Sequence, residues 1–244
     1  MSSAIRKYAA LCIVCLCSSL FFLGLYHFDN KYSQNTIQAA NGILALSEND
    51  LKKSPVRFLV SGWEFYPDAL LTPEEIQDSD HYMRYLSIGE MSNFSSSADS
   101  SPYGCGTYRM TFFLPERKEA YAIELPEVFS SYTLYLDHDR ILQLGDPEQR
   151  IPLLQNRMVT FYGGKPVTLT IAVSNYDHFY GGIVYPPAFG TMLAVNTSRG
   201  IRFAFCLFSC TVTFVCALLS FYFSHRMKQK NAFLFGLICL AMCG

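Results

Sequence analysis

Charge is scarce in this chain. Only 16% of its 244 residues are Asp, Glu, Lys or Arg, against 50% hydrophobic, where a soluble domain carries roughly a quarter charged. That shortage argues against a freely soluble protein. A formal net charge of −1 argues against a nucleic-acid partner. Acidic residues are missing altogether before Asp29 and after Asp177. Cysteine is nearly missing from the central stretch. Of nine, Cys12, Cys15, Cys17, Cys206, Cys210, Cys216, Cys239 and Cys243 lie in apolar segments, where Cys acts as a small apolar residue. Only Cys105 lies between those segments, so the central stretch closes no internal disulfide and relies on its own core. No Cys or His spacing matches a metal site, and no glycine-rich loop opens a helix as a phosphate loop would. Neither a metal nor a cofactor is therefore expected. No carboxylate pair stands out by motif, so no enzyme activity is expected within these residues.

What is present is concentrated apolar sequence. Tyr8 to Phe28 and Phe203 to Ser224 carry no charged residue and are each about long enough to cross a hydrocarbon core. A third run starts at Ala232 and reaches Gly244. It reads as the start of a further span, and the chain therefore as the N-terminal part of a longer protein or the product of an incomplete gene model. Six of the 19 basic residues (Arg6, Lys7, Arg202, Arg226, Lys228 and Lys230) lie outside 27–199. The other 13 face 20 acidic residues inside it, a formal −7. Basic short loops stay in the cytoplasm. Arg6 and Lys7 thus start inside, the loop 225–231 is inside, and 29–199 is extracytoplasmic, with Arg199 on the outer flank. The residues after Phe28 show no clean small-x-small pattern, which favours an uncleaved anchor over a cleaved signal peptide. The expected layout is an anchor helix over 1–28, a stalk over 29–55, an outer domain over 56–195, a membrane helix over 203–224 and a further one starting at 232–244. The lipid bilayer is the first partner implied.

The outer domain reads as strands. VRFLV (56–60), TYRMTFFLP (107–115), YAIELP (121–126), YTLYL (132–136), RILQLG (140–145), MVTFY (158–162) and VTLTIAVSN (167–175) recur between Gly, Pro and Asp turns. Tyr108, Met110, Phe112 and Leu114 share one face, as do Val167, Leu169, Ile171 and Val173. Alternation of period two predicts a packed face and a solvated one. The class is mainly β, an antiparallel sandwich. A short helix near 72–77 is predicted, with Thr72 as N-cap and Glu75 three residues on. The segment 92–101 is a Ser-rich loop, and the tripeptides at Asn93 and Asn196 match a glycosylation acceptor pattern.

Two clusters are candidates for ligand contact. SGWEFYP (61–67) offers Trp63, Glu64 and Tyr66, with Arg109 on a neighbouring strand. SNYDHFYGG (174–182) offers Asn175, Tyr176, His178 and Tyr180. Aromatic rings stack on sugar faces while Asn, His and Arg bond hydroxyls, and loops on a rigid sandwich are where binding residues sit. The competing reading is packing. Trp63 and the tyrosines would fill the core or cover an edge, and Arg109 would bind a carboxylate such as Glu64 or Glu124 through its fork.

The run Gly106-Thr107-Tyr108-Arg109 before MTFFLP, with YTLYLDHDRILQLG and VTLTIAVSN, resembles the jelly-roll, galactose-binding-like domain of β-galactosidase-type glycoside hydrolases. GWEFYPDALLTPEE (62–75), GTYRMTFFLPE, YAIELPEVFSSYTLYLD and SNYDHFYGGIVYPPAFGT (174–191) together resemble the outer domain of bacterial seven-transmembrane receptors with diverse intracellular signalling modules. Many of these are sensor histidine kinases of two-component systems. The resemblance implies a jelly roll in a multi-pass protein of the bacterial cell membrane, so the tripeptides at Asn93 and Asn196 are discounted as glycosylation sites. It implies a small extracellular ligand, such as a carbohydrate, and an output module beyond Gly244. The alternative is a non-catalytic interaction module that forms a homodimer.

Overall fold

The computed structural model describes residues 3–32, 36–78, 80–89, 94, 101–146 and 151–242. The Ser-rich loop expected at 92–101 falls outside the described residues except for Phe94 and Ser101, as does Asn93. In chain order the elements are α1 (Ser3–Asp29), β1 (Ile43–Ala45), α2 (Glu48–Lys53), β2 (Val56–Phe58), β3 (Trp63–Pro67), α3 (Pro73–Asp78), β4 (Arg84–Leu86) and β5 (Gly104–Phe113). There follow β6 (Tyr121–Leu125), β7 (Ser131–Leu136), β8 (Asp139–Leu144), β9 (Arg157–Phe161), β10 (Val167–Asn175), β11 (Ala188–Thr191), α4 (Met192–Met227) and α5 (Lys230–Ala241). The chain forms two compact units, Met1–Thr191 and Met192–Gly244.

In the second unit, α4 runs for 36 residues. It is the one helix among the described residues long and apolar enough to cross a membrane. The spans expected at 1–28 and 232–244 contain shorter apolar helical stretches, Cys15–Tyr26 and Lys230–Ala241. The α4 helix starts at Met192, directly after β11 and well before the expected Phe203. The hydroxyls of Thr211, Thr213 and Ser220 donate to the carbonyls of Leu207, Ser209 and Cys216. Polar side chains in an apolar helix are thereby satisfied without leaving it. The α4 and α5 helices meet where the rings of Phe221 and Phe233 lie 5.6 Å apart.

The first unit contains a β sandwich. One sheet has the order β4-β3-β5-β10-β7-β8 and the other β2-β11-β6-β9. All these pairings are antiparallel. The exception is β1, which runs parallel to β5, with Ile43 beside Thr111 and Ala45 beside Phe113. β3 pairs with β5 only over Gly106–Arg109, so β1 continues the edge where β3 has stopped. The segment 29–55, expected as a stalk, thus supplies a strand and the helix α2. Ala39, Leu44, Leu46 and Leu51 are in the core. Ser47 caps α2 in a reciprocal capping box with Asp50. Buried Arg57 ties the segment to β2 by donating to Ile37, Asp50 and Ser54 carbonyls. Burial lowers its pKa below the ordinary value.

Between the sheets the alternating residues interdigitate as the period predicts. Tyr108, Met110, Phe112, Leu134, Leu169, Ile171 and Val173 face Tyr121, Ile123, Leu125, Phe161 and Phe189. Phe112 and Phe189 have ring centroids 5.2 Å apart, and Tyr121 stacks on Phe189 at 5.9 Å. The outer face of the larger sheet is not simply solvated. The segment 68–78 runs across it. Leu71 N–H donates to Thr107 Oγ1, which itself donates to the Ala69 carbonyl. Thr107, Thr133 and Thr170 are buried on this face. The predicted capping box of α3 is present, with Thr72 N–H donating to Glu75 Oε2 at 2.8 Å and Glu75 N–H to Thr72 Oγ1 at 3.4 Å.

Candidate functional site

The two candidate clusters are sorted by backbone register. On β3, Trp63 and Phe65 point inward while Glu64 and Tyr66 point outward. Trp63 is 0% exposed. Its indole N–H donates to the Leu59 carbonyl at 3.0 Å, and its ring meets Tyr108 edge-on at 6.3 Å. As a candidate ligand residue it is therefore corrected to a core residue: enclosed on β3, it offers no free face and no free N–H. Glu64 lies opposite Arg109 across the β3–β5 register. Arg109 Nη1 donates to Glu64 Oε2 at 3.2 Å, and the Tyr66 hydroxyl donates to the same oxygen at 3.3 Å. Of the two carboxylates open to Arg109 from the sequence, the partner is Glu64. Burial, with the Glu64 charge adding to it, raises the Tyr66 phenol pKa.

The other cluster is a loop between β10 and β11. Asn175 ends β10 with its side chain buried. Its Nδ2 donates to the Pro102 and His178 carbonyls, both at 2.7 Å, and its Oδ1 accepts from His178 N–H at 3.1 Å. Every polar atom of that amide is used inside the fold, so Asn175 is a latch rather than a ligand contact. The latch turns His178 outward. His178 Nδ1 accepts from Tyr180 N–H at 3.1 Å, which places the proton of the neutral ring on Nε2. The imidazole stacks on Phe129 with centroids 4.6 Å apart and planes 12° from parallel. Tyr180 lies 5.7 Å from His178 and 6.1 Å from Phe129, Tyr185 lies 6.2 Å from Phe129, and Phe179 meets Tyr180 edge-on at 5.3 Å. Phe179, Tyr180 and Tyr185 are 70%, 52% and 41% exposed. Tyr176 is half-buried.

Below this surface the loop is fixed. Gly182 has φ +76°, and a Cβ there would collide with the Tyr108 hydroxyl, which is hydrogen-bonded to the Ile183 backbone. The ring of Phe94 is enclosed beneath Gly104, Gly106 and Gly181. The result is a ring surface with Phe179, Tyr180 and Tyr185 outermost and Phe129 and His178 half-buried, an arrangement that can take a flat, partly apolar ligand face against its π surfaces.

No protein-family model matches the sequence, and no curated protein matches it. Solved structures similar in part include a glycosyl hydrolase family 2 member from Bacteroides cellulosilyticus (11% identity, 56% of this chain and 20% of that one, TM-score 0.44). Others are a putative β-galactosidase from Bacteroides fragilis (15%, 55% and 22%, TM-score 0.39) and Ruminococcus gnavus β-glucuronidase in complex with uronic isofagomine (15%, 55% and 28%, TM-score 0.38). The chain spans between a fifth and three tenths of the length of those proteins. At these TM-scores nothing about this chain rests on them.

Of the eight candidates, then, Glu64, Tyr66 and Arg109 share the outer sheet face. His178 and Tyr180 share the ring surface. Trp63 and Asn175 are internal supports, and Tyr176 is half-buried. Phe129 and Tyr185 were not among the candidates. Phe129 sits in a Pro- and Ser-flanked turn with no alternation to mark it. Tyr185 lies beyond the Gly pair, next to Pro186, and only the closure of the loop brings it back to Phe129.

Proposed function

We propose that this chain is the sensory and membrane-anchoring part of a bacterial signalling receptor, whose outer β domain binds a small extracellular carbohydrate on the surface made by Phe129, His178, Tyr180 and Tyr185. The observation that carries the reading is that Tyr180 and Tyr185 stand exposed beside the half-buried Phe129–His178 stack, over a loop latched by Asn175. Aromatic surface left exposed on a hydrogen-bonded loop is where recognition residues gather. His178, its Nδ1 taken by Tyr180 N–H, brings an Nε2–H donor to the edge of that surface, suited to a sugar hydroxyl. The receptor assignment, including a histidine-kinase output beyond Gly244 and a multi-pass topology with 29–199 outside, rests on the motif order in 62–191. The domain is read as a galactose-binding-like jelly roll on the same ground. Coupling is supported by connectivity: β11 is a central strand of the smaller sheet and its last residue, Thr191, precedes the first residue of α4. A ligand with different affinities for two states of the domain would bias the helix directly.

The test is calorimetric titration of the full chain in lipid nanodiscs with neutral monosaccharides and disaccharides. Binding that falls at least tenfold in Phe129→Ala and Tyr180→Ala, with the fold intact by circular dichroism, is expected. Absence of binding to every neutral sugar, or binding indifferent to both substitutions, overturns the proposal. A second reading, a homodimerising interaction module without soluble ligand, is favoured by one observation. Ile151, Leu153 and Leu154 are about half exposed within a single short segment. Concentration-dependent sedimentation abolished by Leu153→Glu would support it.

A further inference from the structure

A second concave site lies on the outer face of the larger sheet, where α3, the β7–β8 turn and the segment between β9 and β10 surround a groove of about 320 Å³. It is lined by Gln77, Arg109, Asp137, His138, Lys165 and Thr168, with Pro73 closing one wall. Three of the four ion pairs among the described residues border it: Arg109 with Glu64 at 3.2 Å, His138 with Glu74 at 2.8 Å, and Lys165 with Asp137 at 3.8 Å. In each pair the acid uses only part of what the base offers. Arg109 meets Glu64 through Nη1 and also hydrogen-bonds the Tyr66 phenol, which leaves part of its five-donor fork. His138 meets Glu74 through Nδ1, leaving Nε2. Lys165 is 75% exposed and loosely paired. Asp137 is held in place, its Oδ1 accepting from Thr168 N–H at 2.8 Å. Glu64 and Glu74 are not among the lining residues, so basic donors outnumber carboxylates on the groove wall. Gln77 adds a neutral amide, and Thr168 a hydroxyl shared with Thr111 Oγ1 at 3.1 Å. On the same face Thr170, opposite Arg109 in register, has a buried hydroxyl without a hydrogen-bond partner.

We propose that this groove is a binding site for a small hydroxylated carboxylate, a sugar acid of monosaccharide size, independent of the aromatic surface on the β10–β11 loop. Its volume is at the lower end of the range for small-molecule pockets, about 300–1,000 Å³. The donors of the Arg109 fork not taken by Glu64 and Tyr66 suit a carboxylate oxygen, and Lys165 stands at the rim. Gln77, Thr168 and His138 Nε2 meet hydroxyls. Asp137 has its second oxygen toward Lys165 and disfavours a second anionic group, so a singly charged acid is selected over a polyanion.

The experiment titrates the full chain in nanodiscs with glucuronate, glucose and inorganic phosphate in parallel. Expected is glucuronate binding in clear preference to both others. Lys165→Gln, an exposed substitution with little bearing on folding, should weaken it by about tenfold, the loss of one charge-assisted hydrogen bond. The pair Glu64→Gln with Arg109→Gln, which removes both charges together, should abolish it. Tyr180→Ala should leave it unchanged, which separates this site from the ring surface. Equal binding of glucose, tighter binding of phosphate, or a Lys165→Gln protein that binds glucuronate as well as the parent would overturn the proposal.

Discussion

The strand cluster around Trp63 and the loop cluster around His178 began as equivalent collections of aromatic and polar side chains, and the backbone treats them oppositely. On β3 the period of two assigns each residue a side. Trp63 goes into the core, and Glu64 and Tyr66 go to the outer face where Arg109 meets them. In the β10–β11 loop no period exists. There Asn175 consumes the local backbone groups, and the rings that follow remain outside on one another. Aromatic content alone therefore says little about recognition. What decides is whether the local backbone has a face to hide the ring on.

The contrast can be broken most forcefully at Trp63. Trp63→Ala should lower stability by about 3–5 kcal/mol in denaturant unfolding, whereas Tyr180→Ala should move it by no more than about 0.5 kcal/mol. Comparable losses at the two positions would show that the ring surface is part of the core after all. Asn175→Ala is intermediate. It strands the Pro102 and His178 carbonyls and the His178 N–H, and should cost about 1–3 kcal/mol. It should also weaken the near-ultraviolet dichroism of the stacked rings and their ligand affinity together. The smallest effect is expected at Tyr132, whose hydroxyl is buried without a hydrogen-bond partner. Tyr132→Phe should be neutral within about 0.5 kcal/mol or mildly stabilising. Its signature lies in alkali, because burial pushes the Tyr132 phenol up to about 12. With an unfolded value near 10, the neutral phenol's contribution is complete below pH 10 and declines as pH rises from there through 12. Unfolding followed between pH 9 and 12 should thus show a shallower decline for Tyr132→Phe than for the parent, and identical slopes would refute the assignment.

Much of the sandwich was legible because its strands alternate. The runs from 107 to 175 appear as β5 to β10 with the expected inward faces, and the α3 cap is where Thr72 and Glu75 place it. Three things were hidden. β1 was invisible because three residues, Ile43 to Ala45, carry too little pattern to stand out from a polar lead-in. Its partner Thr111 is 68 positions away in the register. The burial of the outer face at Thr107 and Thr170 was hidden because it depends on a crossing segment, not on the strands themselves. At the ring surface, His178 and Tyr180 were visible as members of a motif. Phe129 was not, since stacking between residues 49 positions apart leaves no local trace.

The placement of β11 bears on how the chain assembles. The smaller sheet is ordered β2-β11-β6-β9, so until β11 emerges β2 has no neighbour and β6 has only β9. The strand that joins them is the last of the domain and is followed at once by α4. A sheet whose pairings reach so far along the sequence closes slowly, and an incomplete one leaves apolar faces and strand edges open to aggregation. Closure of the sandwich and emergence of the long apolar helix therefore fall in the same interval of synthesis. A substitution that delays β11, such as one crowding Gly190 against Pro55, would be felt first as a defect in biogenesis, before any loss of stability in the finished protein.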